Sequence, residues 1–354
     1  MNKNIIVLGE IHQDLHYESN FYEEFVEKIA DNVANFLKYN PDDVNKKILE
    51  KLVKKGIENA SKKVIGRSSF KRGGNGNNST ECLAHLGIPT KLISIVGRGS
   101  EWIYAELKKV GVNTDTVFQI DEITPVNTII KSKFASKILL SPNLQDKMSF
   151  EGIDIKDNVF DNAKIIFTTP IAKKFVKIFE NGFNFDLITA FKIEKQNTSN
   201  LEELSELIKK QYDIFFLNLI DAQLILNEKL TIEEIDKKFQ SYAKIRTYTN
   251  GKDGSYIFTD NFNLRFPSIE LKEVIDHTGL EDFYSAGFLT IIYEIVENKF
   301  QLLELLKHEN DEKLKSILNL CGKFATYAVN YKITKQKAPT TEEIKNFMKD
   351  FKIN

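Results

Sequence analysis

The chain has 354 residues, 42% of them hydrophobic, enough to bury a substantial core in one large α/β domain or two smaller ones. A net charge of −1 supplies no basic field, which sets aside nucleic-acid binding and polybasic membrane-surface binding and leaves small molecules as the expected partners. Cys82 and Cys321 are the only cysteines, far apart and without metal-ligand spacing, so neither a disulfide framework nor a zinc site is indicated and both thiols are expected to be buried and inert.

Met1 to Asn4 leads into the apolar run Ile5 to Leu8, too short for a signal peptide or a membrane span, and a cytoplasmic protein is expected. Closed by Gly9, this run has the pattern of a strand buried on both faces. Asp14 follows five residues after Gly9. Its carboxylate suits two neighbouring hydroxyls of a sugar ring, although a turn aspartate capping its own backbone gives the same letters. Phe21, Phe25, Val26, Ile29, Val33, Phe36 and Leu37 then recur at helical spacing. Asn40-Pro41 starts a second helix, with Val44, Ile48, Leu49, Leu52, Val53 and Ile57 as its stripe. The expectation is a helical hairpin within 15–72, an insertion or lid covering the sheet edge, the mouth of a site or a second subunit. The basic run Lys62 to Arg72 reads as a solvated loop, or more sharply as a clamp for a phosphorylated substrate.

Gly73-Gly74 and Asn78 come next, ahead of a helix ending in Leu86-Gly87. Paired glycines let backbone approach a ligand closely, and an asparagine donates and accepts at once. Leu92 to Gly97 reads as strand and turn, Glu101 to Val110 as helix, and Asn127 to Phe134 and Ala163 to Phe167 as strands, so repeated β-α units argue for a parallel sheet with helices on both faces. Ile214 to Ala222 is a buried strand ending in Asn218-x-x-Asp221, and Arg246 to Phe258 is a strand, a turn carrying Thr249, Gly251 and Gly254, and a second strand. From Asp276 a polar stretch with Gly279 and Asp282 opens into the apolar helix Phe283 to Ile295. The unpaired N–H groups at such a helix start attract anions, and Asp282 could take a proton from a hydroxyl that attacks a bound phosphate; an N-capped helix with an acidic first turn is the plain alternative. Leu314 to Tyr331 is a further apolar-periodic helix.

In this order and at roughly this spacing, the motifs Gly9 to Asp14, Gly73-Gly74 to Asn78, Asn218 to Asp221, Thr249 to Gly254 and Asp276 to Phe288 resemble those of the ribokinase-like family, the phosphofructokinase-B type of carbohydrate and purine kinases. The resemblance covers the chain except 15–72. It implies a single doubly wound α/β domain over 1–354, with a mostly parallel sheet and ligands at the carboxyl ends of the strands. It further implies transfer of the ATP γ-phosphoryl group to a hydroxyl of a sugar, sugar phosphate or nucleoside, in a protein that could be a homodimer. Under it Asp282 is the catalytic base and Gly279 belongs to the anion hole. Asp14, Gly73, Gly74 and Asn78 bind the acceptor, Asn218, Thr249, Gly251 and Gly254 the nucleotide, and Asp221 positions Mg²⁺ through water. Three departures stand out. Leu280-Glu281 replaces the Ala-Gly of the anion hole, Arg98-Gly99 follows Gly97 without the usual aspartate, and Asp221 replaces a glutamate. Glu281, the missing aspartate after Gly97 and the altered lid within 15–72 leave open a second reading, a catalytically weakened kinase scaffold that binds or regulates. In the active reading Glu281 turns outward as a first-turn acidic residue.

Overall fold

The computed structural model describes residues 3–39, 45–60, 63–132, 136–268 and 279–350. Asp276 to Thr278, Asn40-Pro41 and Lys62, on which parts of the sequence reading rest, lie outside them, as do residues 133–134 at the end of the strand expected from Asn127. The described chain separates into two compact units: 1–11 with 74–123 and 147–354, and 12–73 with 124–146.

The larger unit is built on a nine-stranded sheet among the described residues. Its strands are β1 (Asn4–Gly9), β4 (Thr90–Arg98), β5 (Asn113–Ile123), β8 (Ala163–Thr169), β9 (Ile188–Ile193), β10 (Tyr212–Asn218), β11 (Ala243–Thr249), β12 (Ser255–Phe258) and β13 (Asn263–Phe266). In space they run β13-β12-β11-β10-β9-β8-β1-β4-β5. From β11 to β5 every pairing is parallel, and β12 and β13 add an antiparallel edge. The apolar runs of the sequence are these central strands. Their alternate side chains feed two cores: Ile5, Val7, Ile214 and Phe216 enter the one shared with the helices Asn75–His85, Leu280–Ile295 and Asp311–Lys335, while Ile6, Leu8, Phe215 and Leu217 enter the other with Lys173–Asn184 and Ile232–Phe239. Helices on both faces follow from strands apolar on both faces. Gly287 lets the helix Leu280–Ile295 lie close against Asp311–Lys335, since a Cβ there would come within 3.0 Å of the Ala325 Cα. Both cysteines are buried, and burial pushes both thiols far up, as an inert role requires.

The smaller unit corrects the expectation of a purely helical lid. The predicted hairpin is present, as helices Phe21–Tyr39 and Lys46–Asn59, with Gly56 set tightly against Ile29. It is inserted between two strands that the sequence reading did not foresee, β2 (His12–Ser19) and β3 (Gly66–Gly73). With β6 (Val126–Lys131) and β7 (Ser136–Leu139) they form a four-stranded sheet, β3-β2-β6-β7. The basic run expected as a loop is mostly β3, and the strand expected from Asn127 belongs to this sheet and not to the main one. The reason is local: β3, Gly-Arg-Ser-Ser-Phe-Lys-Arg-Gly, is an edge strand exposed over most of its length, so it carries polar residues and shows no apolar run.

Candidate active site

The carboxyl ends of β1, β9, β10 and β11 bring Gly9, Ile193, Asn218 and Thr249 to one edge of the main sheet. Beside β1 the helix Asn75–His85 begins. Its N-cap Gly74 has φ 98°, and a Cβ at this position would meet the Glu10 carbonyl oxygen at 2.2 Å, so only glycine fits. One turn in, Asn78 reaches the helix Leu280–Ile295. Its Nδ2 donates to Asp282 Oδ2 at 3.0 Å, and its Oδ1 accepts from Asn77 Nδ2 at 3.1 Å. Gly279 caps the same helix at φ 74°, where an added Cβ would sit 2.9 Å from Asn78 Nδ2. Two motifs some 200 residues apart thus meet in one contact.

Asp282 is 2% exposed, and its other oxygen, Oδ1, accepts from Lys192 Nζ at 2.9 Å. Burial pushes its carboxyl above the usual aspartate range, the Glu194 charge adds to the rise, and Lys192 and Asn78 work against it. A carboxylate so placed is more basic than an exposed one, the property a general base needs. Lys192 stands on β9 with Glu194 Oε1 at 2.8 Å and Glu281 Oε2 at 3.5 Å. Burial alone would depress its ammonium, but Asp282, Glu194 and Glu281 hold it well above the ordinary lysine value. Glu194 also accepts from Asn75 Nδ2 and Gln196 Nε2, both at 2.6 Å. Its burial opposes ionisation, and Lys192 with these bonds keeps the carboxyl below the ordinary value.

Glu281, expected to turn outward, is turned sideways: Oε1 accepts from Asn218 Nδ2 at 2.7 Å while Oε2 faces Lys192, and the side chain is 36% exposed. Asn218 also caps the following helix by accepting from Ile220 N at 2.8 Å. Asp221 accepts from Lys195 N at 3.2 Å, and its carboxyl is raised by burial and by the Glu281 and Glu194 charges. A hard oxygen ligand in such a negative neighbourhood fits Mg²⁺, which takes few protein ligands and keeps much of its water. Among the described residues no group of three or more carboxylates, histidines or cysteines forms a protein cage for a metal.

At the end of β11 the Thr249 hydroxyl is buried and has no hydrogen-bond partner among the described residues. In the turn behind it Gly251 has φ 50°, a left-handed conformation that favours glycine, and at Gly254, φ 95°, a Cβ would strike the Phe266 carbonyl oxygen. Asp14 and Gly73 lie in the smaller unit. Across β2 and β3 Gly73 pairs with His12 and Asp14 with Lys71, and a Cβ on Gly73 would come within 2.3 Å of Asp14 Oδ2, so the glycine makes room for this buried carboxylate. His12 Nε2 lies 3.2 Å from Asp14 Oδ1.

Within the larger unit the structure therefore joins Asn78, Gly279 and Asp282, and separately Asn218 with Glu281. Sequence reasoning missed Lys192 and Glu194. The available signal was a lysine inside the apolar strand Ile-Thr-Ala-Phe-Lys-Ile, since a lysine buried in such a strand must be paired.

A family model for pfkB family carbohydrate kinases matches residues 51–301. The fold is also that of solved kinases. Ribokinase of Arabidopsis thaliana, complexed with ribose and ATP, is 16% identical over 99% of both chains with a TM-score of 0.69. Fructokinase of Xylella fastidiosa with bound ATP is 14% identical over 99% of both chains, TM-score 0.71. The nucleoside kinase of Methanocaldococcus jannaschii is 17% identical over 99% of this chain and 100% of that one, TM-score 0.66.

Proposed function

This chain belongs to the pfkB family of carbohydrate kinases, and from that premise we propose that it transfers the γ-phosphoryl group of ATP to a hydroxyl of a sugar, sugar phosphate or nucleoside. The observation that carries the reading is Asp282: a buried carboxylate in the first turn of a helix, held on both oxygens by Asn78 and Lys192. Its role is to accept the proton of the acceptor hydroxyl. As that O–H bond gives up its proton, the oxygen forms a bond to the γ-phosphorus, the bond from phosphorus to the β,γ-bridging oxygen breaks, and the electron pair leaves with ADP.

Backbone N–H groups of the turn from Gly279 are the donors for the transferring group, because the first N–H groups of a helix have no partner within it. Asp14, Gly73, Gly74 and Asn78 serve the acceptor side. Asn218, Thr249, Gly251 and Gly254 serve the nucleotide, and the unpartnered Thr249 hydroxyl is the observation that favours a polar ligand there. Mg²⁺, for which Asp221 is the candidate ligand through water, supplies neutralisation of phosphate charge when bound. The similar ribokinase complexed with ribose and ATP and the similar fructokinase with bound ATP support a sugar-like acceptor and ATP as the ligand classes.

A second reading, a ligand-binding or regulatory protein on a kinase scaffold, is favoured by one feature: a carboxylate, Glu281, stands in the first turn next to Asp282. ADP release measured over a panel of sugars, sugar phosphates and nucleosides with ATP and Mg²⁺ tests both. Turnover on any acceptor supports the kinase; binding without turnover on the whole panel supports the second reading.

A further inference from the structure

Lys192 is a charged side chain on a strand whose residues are all buried, itself 5% exposed. Its ammonium has three N–H donors and is met by three carboxylates, Glu194, Asp282 and Glu281. A buried lysine is costly unless paired, so the arrangement holds together only as a unit. Within it Asp282 is flanked by like charge. Glu194 lies two residues beyond Lys192, Glu281 immediately precedes Asp282 on its helix, and the helix Asn75–His85 carries Asn78, bonded to Asp282, and Cys82, whose thiol feels the Asp282 charge. With these neighbours and no ammonium, burial and like charge would act together on a carboxylate 2% exposed, and both favour its protonated form. Glu281 has a related problem: its second oxygen is directed to the same ammonium while the first is held by Asn218.

We propose that Lys192 is a positioning residue of the phosphoryl-transfer site: it keeps the Asp282 carboxylate ionised and oriented, and it draws Glu281 sideways from the start of the helix. The proposal rests on the kinase reading for its catalytic consequence, but the electrostatic part stands on the ion pairs themselves.

The test compares wild type with Lys192→Met, which keeps the length and removes the charge, Lys192→Arg, which keeps the charge, and Glu194→Gln, which leaves the ammonium and removes one competing anion. Titration of the Asp282 carboxyl is followed by carbon-13 NMR, its resonance being the one lost in Asp282→Asn. The midpoint should rise by about one pH unit or more in Lys192→Met, stay near wild type in Lys192→Arg and fall in Glu194→Gln. The acid limb of kcat/KM should move with it, about tenfold in activity per unit at a pH below the limb, with ATP affinity little changed. Should Lys192→Met fail to fold, Lys192→Gln, which also removes the charge, is titrated in its place with the same expected rise. An Asp282 midpoint that is unmoved in every folded variant overturns the proposal. A wild type without turnover on any acceptor, but with the expected NMR shifts, removes the kinase reading and leaves the electrostatic assignment of Lys192 standing.

Discussion

Asp282→Asn removes the proton acceptor while keeping the side chain's volume, and the surrounding bonds show what else it disturbs. In the wild type Oδ1 accepts from Lys192 and Oδ2 from Asn78. In the amide, the oxygen stays with the ammonium and the NH₂ turns to Asn78, donor against donor. Asn78 can answer by rotating its own amide, giving up the bond from Asn77 at 3.1 Å, a loss of about 1 kcal/mol. Lys192 keeps Glu194 at 2.8 Å, so the buried ammonium is not left alone. The ionised Asp282 carboxylate is itself costly, because burial raises its carboxyl. The native state then binds more protons than the unfolded chain between the two titration points, and stability falls as pH rises through that window. The amide abolishes this slope. Stability should therefore change by no more than about 1–2 kcal/mol at neutral pH. Catalysis should fall much further: a general base contributes about 10²–10⁴-fold, or about 3–5 kcal/mol of barrier. The assay is coupled ADP release on the best acceptor, with ATP affinity by calorimetry and thermal unfolding on the same preparations. Wild-type turnover in Asp282→Asn refutes the role of Asp282 as base, and a parallel loss of ATP binding would show that the substitution acts through structure.

Because the Glu281 carboxylate is engaged by Asn218 and Lys192, wild type should turn over and Glu281→Gly should change kcat less than about tenfold; an inactive wild type rescued by glycine beyond that range would place Glu281 in the anion site after all. Asp14→Asn and Asn78→Ala should weaken acceptor binding by about 1–3 kcal/mol with ATP binding much less affected, and Asn78→Ala should lower kcat as well through its bond to Asp282; equal losses for both ligands in calorimetry would count against the assigned division. Gly74→Ala should destabilise the fold by more than Gly87→Ala: both have positive φ, worth about 1–3 kcal/mol of strain, but only at Gly74 does the added methyl collide with backbone, the Glu10 carbonyl at 2.2 Å. Equal drops in Tm would refute that comparison.

Much of the larger unit is legible along the chain because its cues are local. Ile5 to Leu8 and Ile214 to Leu217 are continuous apolar runs, which strands covered on both faces require, and the helix start near Gly279 follows from polar residues and glycine ahead of an apolar stretch. The order of the glycine-rich turns and carboxylates could likewise be read as a series. The smaller unit was half legible. Helical periodicity marked Phe21–Tyr39 and Lys46–Asn59, whereas the strands around them are short, polar or at an edge and leave little alternation to find. What only the tertiary structure decided is which charges meet. Lys192 and Asp282 are 90 residues apart, Asn218 and Glu281 63, and Asn78 and Asp282 204. Such pairs are set by the order of strands in the sheet and by the packing of two helices at its edge. The direction of Glu281, outward by the logic of a helix dipole, was settled sideways by an asparagine and a buried lysine that no local pattern connects to it.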